Sequence, residues 1–385
     1  MMILMSTLRR YNHLEKILLK YLKRPIDKHS KRIHLILLLT ICQIIYLEIA
    51  PHAAVNIAIE LTKKDKKSNK LKNLVNAVLR KVSREIDEIL TDKKDPIDLL
   101  PIWLLQKWEK VYSILEIRTI ANTLMEIPPL DLSLTYTHGN QKIAEELGGL
   151  QLASGSIRLK NYSHIPDLKY YNDGYWWVQD VSAAIPVKII ENEIKNKNFV
   201  DLCAAPGGKT ASLISCGAKV VAIEKNSQRI EILRENLKRL NFGAEIVLAD
   251  ATKWVPNKKF DGVLLDPPCS STGVLRKNPD ILLRKDIDLS SLIILQKKLL
   301  SSGIDMLNKG GILIYCTCSL EPEEGEEQIN NILKLKDDIK IRKITSSKVP
   351  GFEKAITKEG YMRIIPGMIA NGGNDGFFIS ILEKK

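Results

Sequence analysis

Residues 199–209, Phe-Val-Asp-Leu-Cys-Ala-Ala-Pro-Gly-Gly-Lys, constrain the fold of this chain more than any other stretch. Phe199 to Ala205 is a short apolar run carrying one acid, Asp201, and reads as a strand. Pro206, Gly207 and Gly208 end it, and Lys209 to Ile214 resume as a helix. A strand, a glycine turn and a helix N-terminus form the first half of a nucleotide-binding unit, in which glycine lets a ligand approach the backbone with no Cβ in the way. The next apolar strand, Lys219 to Ile223, ends at Glu224, 17 residues after Gly207. That is close to the ~20 residues expected between such a turn and a carboxylate that grips ribose hydroxyls. An ordinary βα turn without a ligand is the competing reading of the two glycines; strand, turn, helix, strand and acid in this order favour the site.

The pattern continues downstream. Ile230, Leu233, Leu237 and Leu240 mark one apolar helix face, Glu245 to Leu248 is a strand leading to Asp250, and Phe260 to Leu265 is a strand leading to Asp266. Leu292 to Leu307 reads as a helix, after which Gly310-Gly311 turns into a strand over Ile312 to Cys316. Gly376 to Leu382 is expected as an edge strand. Such alternation specifies a parallel α/β sheet covered on both faces, with ligands at the carboxyl ends of its strands. Glu224, Asp250, Asp266 and Cys318 all fall at or just beyond those ends, so they are expected to converge.

The first third differs. Apolar residues recur at helical spacing over 8–24, 55–61, 71–82 and 102–124, and nothing there reads as a strand. Residues 1–125 are therefore expected to form an all-α bundle. The run Ile33 to Leu47 is bounded by Arg32 and Glu48 and is shorter than the ~20 residues of a membrane span, so it reads as a buried helix. This third carries 23 lysines and arginines against 13 acidic residues, +10 of the chain's +13. The asymmetry suggests a polyanionic partner, nucleic acid before membrane, and otherwise a merely soluble basic domain. The polar connection Thr62 to Lys70 holds five lysines and is expected as a solvated loop. From Ile127-Pro128-Pro129 the composition changes; alternating Leu130, Leu132, Leu134 and Tyr136 read as a strand, Gln141 to Leu147 as a short helix, and 181–194 as the helix leading into the glycine stretch. Residues 126–180 read as a small α+β segment.

The six cysteines form no dense framework and no Cys-x-x-Cys pair, and no His cluster joins them. A disulfide scaffold and a zinc site are thereby disfavoured, and a reducing cytoplasm is the expected setting. Two cysteines lie on loops beside a ligand-site acid. In Asp266-Pro267-Pro268-Cys269 the tandem prolines stiffen the loop and fix the direction of the Asp266 carboxylate. Cysteine there replaces the aromatic that would stack on a base with an exocyclic amine. The second is Cys318, in Tyr315-Cys-Thr-Cys-Ser319 at a strand end. A thiolate can add to C6 of a pyrimidine and make C5 nucleophilic; since a free thiol has a pKa of ~8.5, the site must help ionise it. An acid near N3 would meet the developing charge. The plainer reading of Cys42, Cys203, Cys216 and Cys316 is that of small core residues, and that of Asp250 and Asp266 is of turn formers.

Three motifs in order, Asp201-Leu-Cys-Ala-Ala-Pro-Gly-Gly-Lys-Thr210, Asp266-Pro-Pro-Cys-Ser-Ser-Thr-Gly273 and Thr317-Cys-Ser319, resemble the RNA 5-methylcytosine methyltransferases of the RsmB/Sun, Nop2 and NSUN group. Val178-Gln-Asp180 and Asp375-Gly-Phe-Phe378 look like further landmarks, so the resemblance covers roughly 126–385. Leu71 to Arg80 makes the helical third look like a NusB-type RNA-binding domain, which points to the RsmB/Sun branch and a cytosine of small-subunit ribosomal RNA. The resemblance implies a multidomain chain: an all-α NusB-like bundle over 1–125, a small α+β, RRM-like segment over 126–180, and an α/β Rossmann-like class I methyltransferase domain over 181–385. It implies S-adenosylmethionine as cofactor, ribosomal RNA as partner, no metal and no membrane, with a monomer as the default. Carried over by residue, Cys203, Ala204, Ala205, Pro206, Gly207, Gly208 and Lys209 surround the cofactor, Glu224 holds its ribose and Asp250 lies by its adenine. Asp266 stands between methionine end and base, Cys318 is the nucleophile on C6, and Cys269 deprotonates C5. Glu224 stands where the pattern often has Asp, and Pro267 where the RsmB branch often has Ala.

Other classes remain open at this point. A DNA cytosine methyltransferase would use the Pro-Pro-Cys cysteine as nucleophile, an exocyclic-amine methyltransferase would need no thiol, and a ribosome-assembly protein would need neither. Transfer RNA or large-subunit ribosomal RNA are the alternative substrates.

Overall fold

A computed structural model describes residues 2–27, 30–64, 66–91, 95–135, 140–284 and 288–385. Internal contacts divide the chain into two units, Met1–Glu126 with Leu275–Asp286, and Ile127–Val274 with Ile287–Lys385. The small α+β segment falls in one unit with the large sheet, and a short excursion from the second half of the chain, Leu275–Asp286, joins the helical unit.

The first unit contains α1 (Met2–Arg9), α2 (Tyr11–Tyr21), α3 (Lys31–Tyr46), α4 (Pro51–Lys63), α5 (Lys66–Asn69), α6 (Lys72–Arg84), α7 (Ile86–Thr91), α8 (Ile102–Trp108) and α9 (Ile114–Asn122). The apolar run of α3 is the centre of its core: Ile33, Leu37, Leu38 and Ile41 are fully buried against Leu14 and Leu18 of α2 and Val75 and Leu79 of α6. No helix among the described residues is long and apolar enough to cross a membrane. Local chemistry sets the ends: Pro51 starts α4, and Ser113 with Glu116 forms a reciprocal capping box on α9. The lysine-rich connection is not all loop. Lys66–Asn69 make one helical turn whose Ser68 is buried, while Asp65 lies outside the described residues. The excursion is held through its backbone: the Arg9 guanidinium donates to the Arg276 carbonyl at 2.9 and 3.0 Å, and the Trp103 indole to the Arg284 carbonyl at 2.7 Å.

In the second unit β1 (Leu130–Leu134), α10 (Asn140–Glu146), β2 (Leu150–Gln151), β3 (Ile157–Leu159) and β4 (Trp176–Val178) build an antiparallel sheet in the order β2-β3-β1-β4. The leucine alternation of β1 does mark a strand, although Tyr136 lies outside the described residues. Its polar face is buried as well. Asp131 receives both ends of the Arg158 guanidinium at 2.7 Å, with neither side chain more than 1% exposed. A buried charge is tolerable when paired and hydrogen-bonded in this way.

Next come α11 (Val181–Lys188), β5 (Asn198–Leu202), α12 (Gly208–Ser215), β6 (Lys219–Glu224), α13 (Ser227–Arg239), β7 (Glu245–Leu248), β8 (Phe260–Leu265), α14 (Ser290–Asp305), β9 (Leu307–Thr317), α15 (Glu326–Leu335), β10 (Ile339–Ile341), β11 (Met362–Ile364) and β12 (Phe377–Lys384). The helix expected over 181–194 ends at Lys188. The main sheet runs β10-β12-β9-β8-β5-β6-β7, with β11 beside β12. Strands β5 to β9 pair in parallel, whereas β12 is antiparallel to β9, β10 and β11. The expectation of an edge strand at the end of the chain is thus corrected: β12 lies inside the sheet, with Ile379 opposite Cys316. Its largely apolar run, Phe377 to Leu382, broken only by the buried Ser380, is what burial on both faces demands. Each strand feeds two cores. Phe199, Leu264 and Ile314 face one, and Val200, Val263, Leu313 and Tyr315 face the other beneath α14 and α15.

Candidate active site

The glycine stretch becomes a sharp loop between β5 and α12. Cys203 leaves the strand with φ 64° and Gly207 precedes the helix with φ 106°, where a Cβ would sit 2.6 Å from Leu233 Cδ1. Only glycine meets both demands at 207. Helix α13 fixes the loop carbonyls: Arg229 donates to Ala205 O, and Asn236 Nδ2 to Pro206 O at 2.8 Å. From the other side Gln179 Oε1 accepts from Ser133, Trp177 and Ser212, tying the landmark segment to the first turn of α12.

A cavity of about 400 Å³ opens at the carboxyl ends of β5, β6 and β7, lined among others by Cys203, Glu224, Asp250, Pro268, Leu295 and Leu299. Glu224 is 4% exposed. Its Oε1 accepts from the Lys225 and Asn226 backbone N–H groups at 2.9 and 3.0 Å. Its Oε2 has no hydrogen-bond donor and only Arg229 Nη1 at 3.4 Å. A buried carboxylate oxygen short of donors, above an apolar floor, fits a ribose bearing vicinal hydroxyls. Asp250 accepts from the Thr252 hydroxyl at 2.7 Å, the Lys225 ammonium at 3.0 Å and the Thr252 N–H at 3.0 Å, which hold its carboxyl down to about 2. It is a turn former and a cavity wall together. Of the glycine stretch only Cys203 is among the residues lining this cavity; Ala204, Ala205, Pro206, Gly207 and Gly208 are not, and Lys209 turns to Asp266.

Lys209 Nζ lies 2.6 Å from Asp266 Oδ2 and 5.2 Å from the centre of the Phe377 ring. Burial alone would lower the Lys209 pKa, but the Asp266 carboxylate outweighs it and raises the pKa above the ordinary value. Beyond Asp266 the two cysteine loops meet. Cys269 Sγ and Cys318 Sγ are 3.4 Å apart, with Ser271 Oγ 3.7 Å from Cys318 and 3.9 Å from Cys269. The hydrogen bond from Cys269 lowers the Cys318 pKa, and the Ser271 hydroxyl and the Lys209 ammonium help against burial and Asp266. The same bond, and then burial, push Cys269 well up. Burial also raises Cys316, and raises Cys203 to about 12. The backbones of the loops touch: Gly273 N–H donates to Cys318 O at 2.9 Å and Gly376 N–H to Gly273 O at 2.8 Å. A Cβ at Gly273 would lie 2.2 Å from Gly376 O, so the landmark Asp375-Gly376 packs directly on the thiol site.

Sequence reasoning missed Arg229, Ser271, Gln296 and Glu324. Arg229 could have been found as a cation one helical turn from the Asn226 cap, facing back to the strand end. No His, Cys, Asp or Glu cluster among the described residues could hold a metal ion.

Comparisons with known proteins agree with this arrangement. Residues 188–383 match the family model described as 16S rRNA methyltransferase RsmB/F, and residues 2–84 match the NusB family. Proteins named ribosomal RNA small subunit methyltransferase B from Cronobacter sakazakii and Shigella flexneri are each 33% identical, covering 99% of this chain and 89% of the relative. Among solved structures, PH0851 is 22% identical with a TM-score of 0.77 over 100% of this chain and 89% of its own. NSun6 from Pyrococcus horikoshii, solved with SFG, is 18% identical with a TM-score of 0.63 over 74% and 98%.

Proposed function

The chain belongs to the 16S rRNA methyltransferase RsmB/F family, and from that premise we propose that it methylates C5 of a cytosine in small-subunit ribosomal RNA through a covalent cysteine adduct. Methyl transfer from S-adenosylmethionine to ribosomal RNA is the activity of the family; the carbon atom modified and the adduct are inferences from the thiol site. The single observation that carries them is the pair Cys269 and Cys318, in contact and with pKa values driven apart. Environments that separate the pKa values of two like groups assign them different roles.

Glu224 would hold the ribose hydroxyls of the cofactor and Asp250 the adenine side of its cavity. When bound, the cofactor supplies a methyl group on a positively charged sulfur. The Cys318 thiolate adds to C6, and the electron pair of the C5–C6 bond makes C5 the nucleophile that takes the methyl group. The Asp266 carboxylate, which accepts from the Lys209 ammonium at 2.6 Å, would pass a proton from that ammonium to N3 as charge builds there and take it back when the base is released. Once Cys318 is bound to carbon, Cys269 would lose its thiol proton to solvent and, as thiolate, take the C5 proton; the C5–C6 double bond re-forms, and Cys318 leaves with the electron pair of the carbon–sulfur bond. The base must leave its stack to enter, at a cost of a few kcal/mol. The basic first third would contact phosphates.

The test is transfer from methyl-labelled S-adenosylmethionine to small-subunit ribosomal RNA, followed by nucleoside analysis. Label in 5-methylcytidine supports the proposal. Label on an exocyclic amine overturns the C5 assignment, and label in transfer RNA or large-subunit RNA alone overturns the substrate.

A further inference from the structure

Glu324 belongs to no motif that the proposed reaction uses, yet its carboxylate is the meeting point of both cysteine loops. It ends the short helical turn Pro322–Glu324 and is fully buried. Four donors converge on it. Oε1 accepts from Ser270 N–H at 3.0 Å and Gln296 Nε2 at 2.8 Å; Oε2 accepts from the Ser319 hydroxyl at 2.6 Å and from the Ser270 hydroxyl. Ser270 directly follows Cys269, and Ser319 directly follows Cys318. Gln296 also donates to the carbonyl of Pro268, the residue before Cys269, at 2.9 Å. One carboxylate therefore grips a neighbour of each thiol, and the Ser270 and Ser319 hydroxyl oxygens are 3.0 Å apart on it. Glu324 is itself pinned to β9, because the Tyr315 hydroxyl donates to its backbone carbonyl at 2.8 Å.

All four contacts present hydrogens to oxygen. A site of this kind takes an ionised carboxylate and rejects an amide of the same shape, whose NH₂ would face donors. We propose that Glu324 is a positioning residue for both thiols: by clamping Ser270 and Ser319 it sets the Cys269–Cys318 separation. Its catalytic consequence rests on the reading of Cys318 as nucleophile, but its geometric consequence does not.

The test uses the full chain and dibromobimane, a bifunctional reagent that bridges neighbouring thiols, with the 269–318 bridge identified by peptide mass mapping. In parallel, the pH profile of Cys318 alkylation by iodoacetamide is measured, with thermal melting and S-adenosylmethionine calorimetry as controls. Glu324→Gln is expected to keep the fold and cofactor affinity, to slow bridging about 10-fold or more, and to move Cys318 alkylation to higher pH as the thiols separate, against the removal of the Glu324 charge, which by itself favours the thiolates. Single-turnover methyl transfer should fall by at least the same factor with little change in KM for RNA. Ser319→Ala removes one arm of the clamp and should shift every readout in the same direction by less, which decides the matter if Glu324→Gln does not fold. Wild-type bridging and an unshifted alkylation profile in a folded variant overturn the positioning role. Slowed bridging with undiminished methyl transfer would uphold the clamp and overturn Cys318 as nucleophile.

Discussion

Cys269 and Cys318 come from different loops, 49 positions apart in the chain, and their sulfurs touch at 3.4 Å. The contact and then burial push Cys269 up, whereas the contact, Ser271 and Lys209 favour the Cys318 thiolate. Cys318→Ala is therefore expected to abolish turnover, and Cys269→Ala to attack RNA but release it poorly. On a denaturing gel the second variant should carry an RNA–protein adduct and the first none. An adduct that requires Cys269 instead would exchange the two roles.

Glu224 offers its under-donated Oε2 to the cavity. Glu224→Gln halves the acceptor capacity and puts an NH₂ near the Lys225 and Asn226 N–H groups. S-adenosylmethionine affinity should drop about 10- to 100-fold, the effect of one or two hydrogen bonds to a charged group. Calorimetry on the purified protein measures this, and unchanged affinity would remove Glu224 from the ribose site.

Asp201 lies under the glycine loop, 1% exposed, and accepts from the Thr210 hydroxyl at 2.6 Å. Burial raises its pKa to about 7, against the Thr210 bond and Lys209, which lower it. A carboxyl with a raised folded-state pKa contributes stability that is fully present below its unfolded value of ~3.9 and is lost as pH rises toward 7. Asp201→Asn keeps the acceptor for Thr210 and cannot ionise. Denaturant melts from pH 4 to 8 should show a declining contribution in the parent, of the order of a few kcal/mol, that is missing in the variant. Parallel pH profiles would show that Asp201 is ionised throughout.

Excess positive charge in residues 1–125 predicts RNA affinity that falls steeply with salt. Affinity measured from 50 to 200 mM salt should drop about 10-fold or more if several phosphates are contacted. Replacing Lys63, Lys64, Lys66 and Lys67 together by glutamine should flatten the slope, whereas a salt-independent affinity would argue that this third binds something other than a polyanion.

The sequence carried the large sheet because alternation of strands and helices is a local, periodic signal, and the same alternation put Glu224, Asp250, Asp266 and Cys318 at or just beyond strand ends, where they stand. It did not carry the place of β12, since an apolar run shows that a strand is buried on both faces and not which neighbours it has. The buried Asp131 looked like the wet side of an alternating strand because its partner, Arg158, lies 27 positions away. Glu324 stands in an acidic tetrad, Glu321-Pro-Glu-Glu324, that reads as solvated turn. Only the three-dimensional arrival of Ser270, Gln296 and Ser319 distinguishes it. The excursion around Arg276 buries Leu275, Ile281 and Leu282 and lends the carbonyls of Arg276 and Arg284 to distant donors, and so short an apolar group does not announce which unit it joins.

The interior position of β12 sets an order of events for a chain made from its N-terminus. Until residues 377–384 have emerged, β9 lacks its partner on one side, and β10 and β11 have no strand to pair with. Without β12, the strand that leads to Cys318 keeps an open row of hydrogen-bonding groups on that side. Cys318 therefore stands at the end of a strand that is paired on both sides only once β12 has docked, so its placement depends on a segment that begins 59 positions further along the chain.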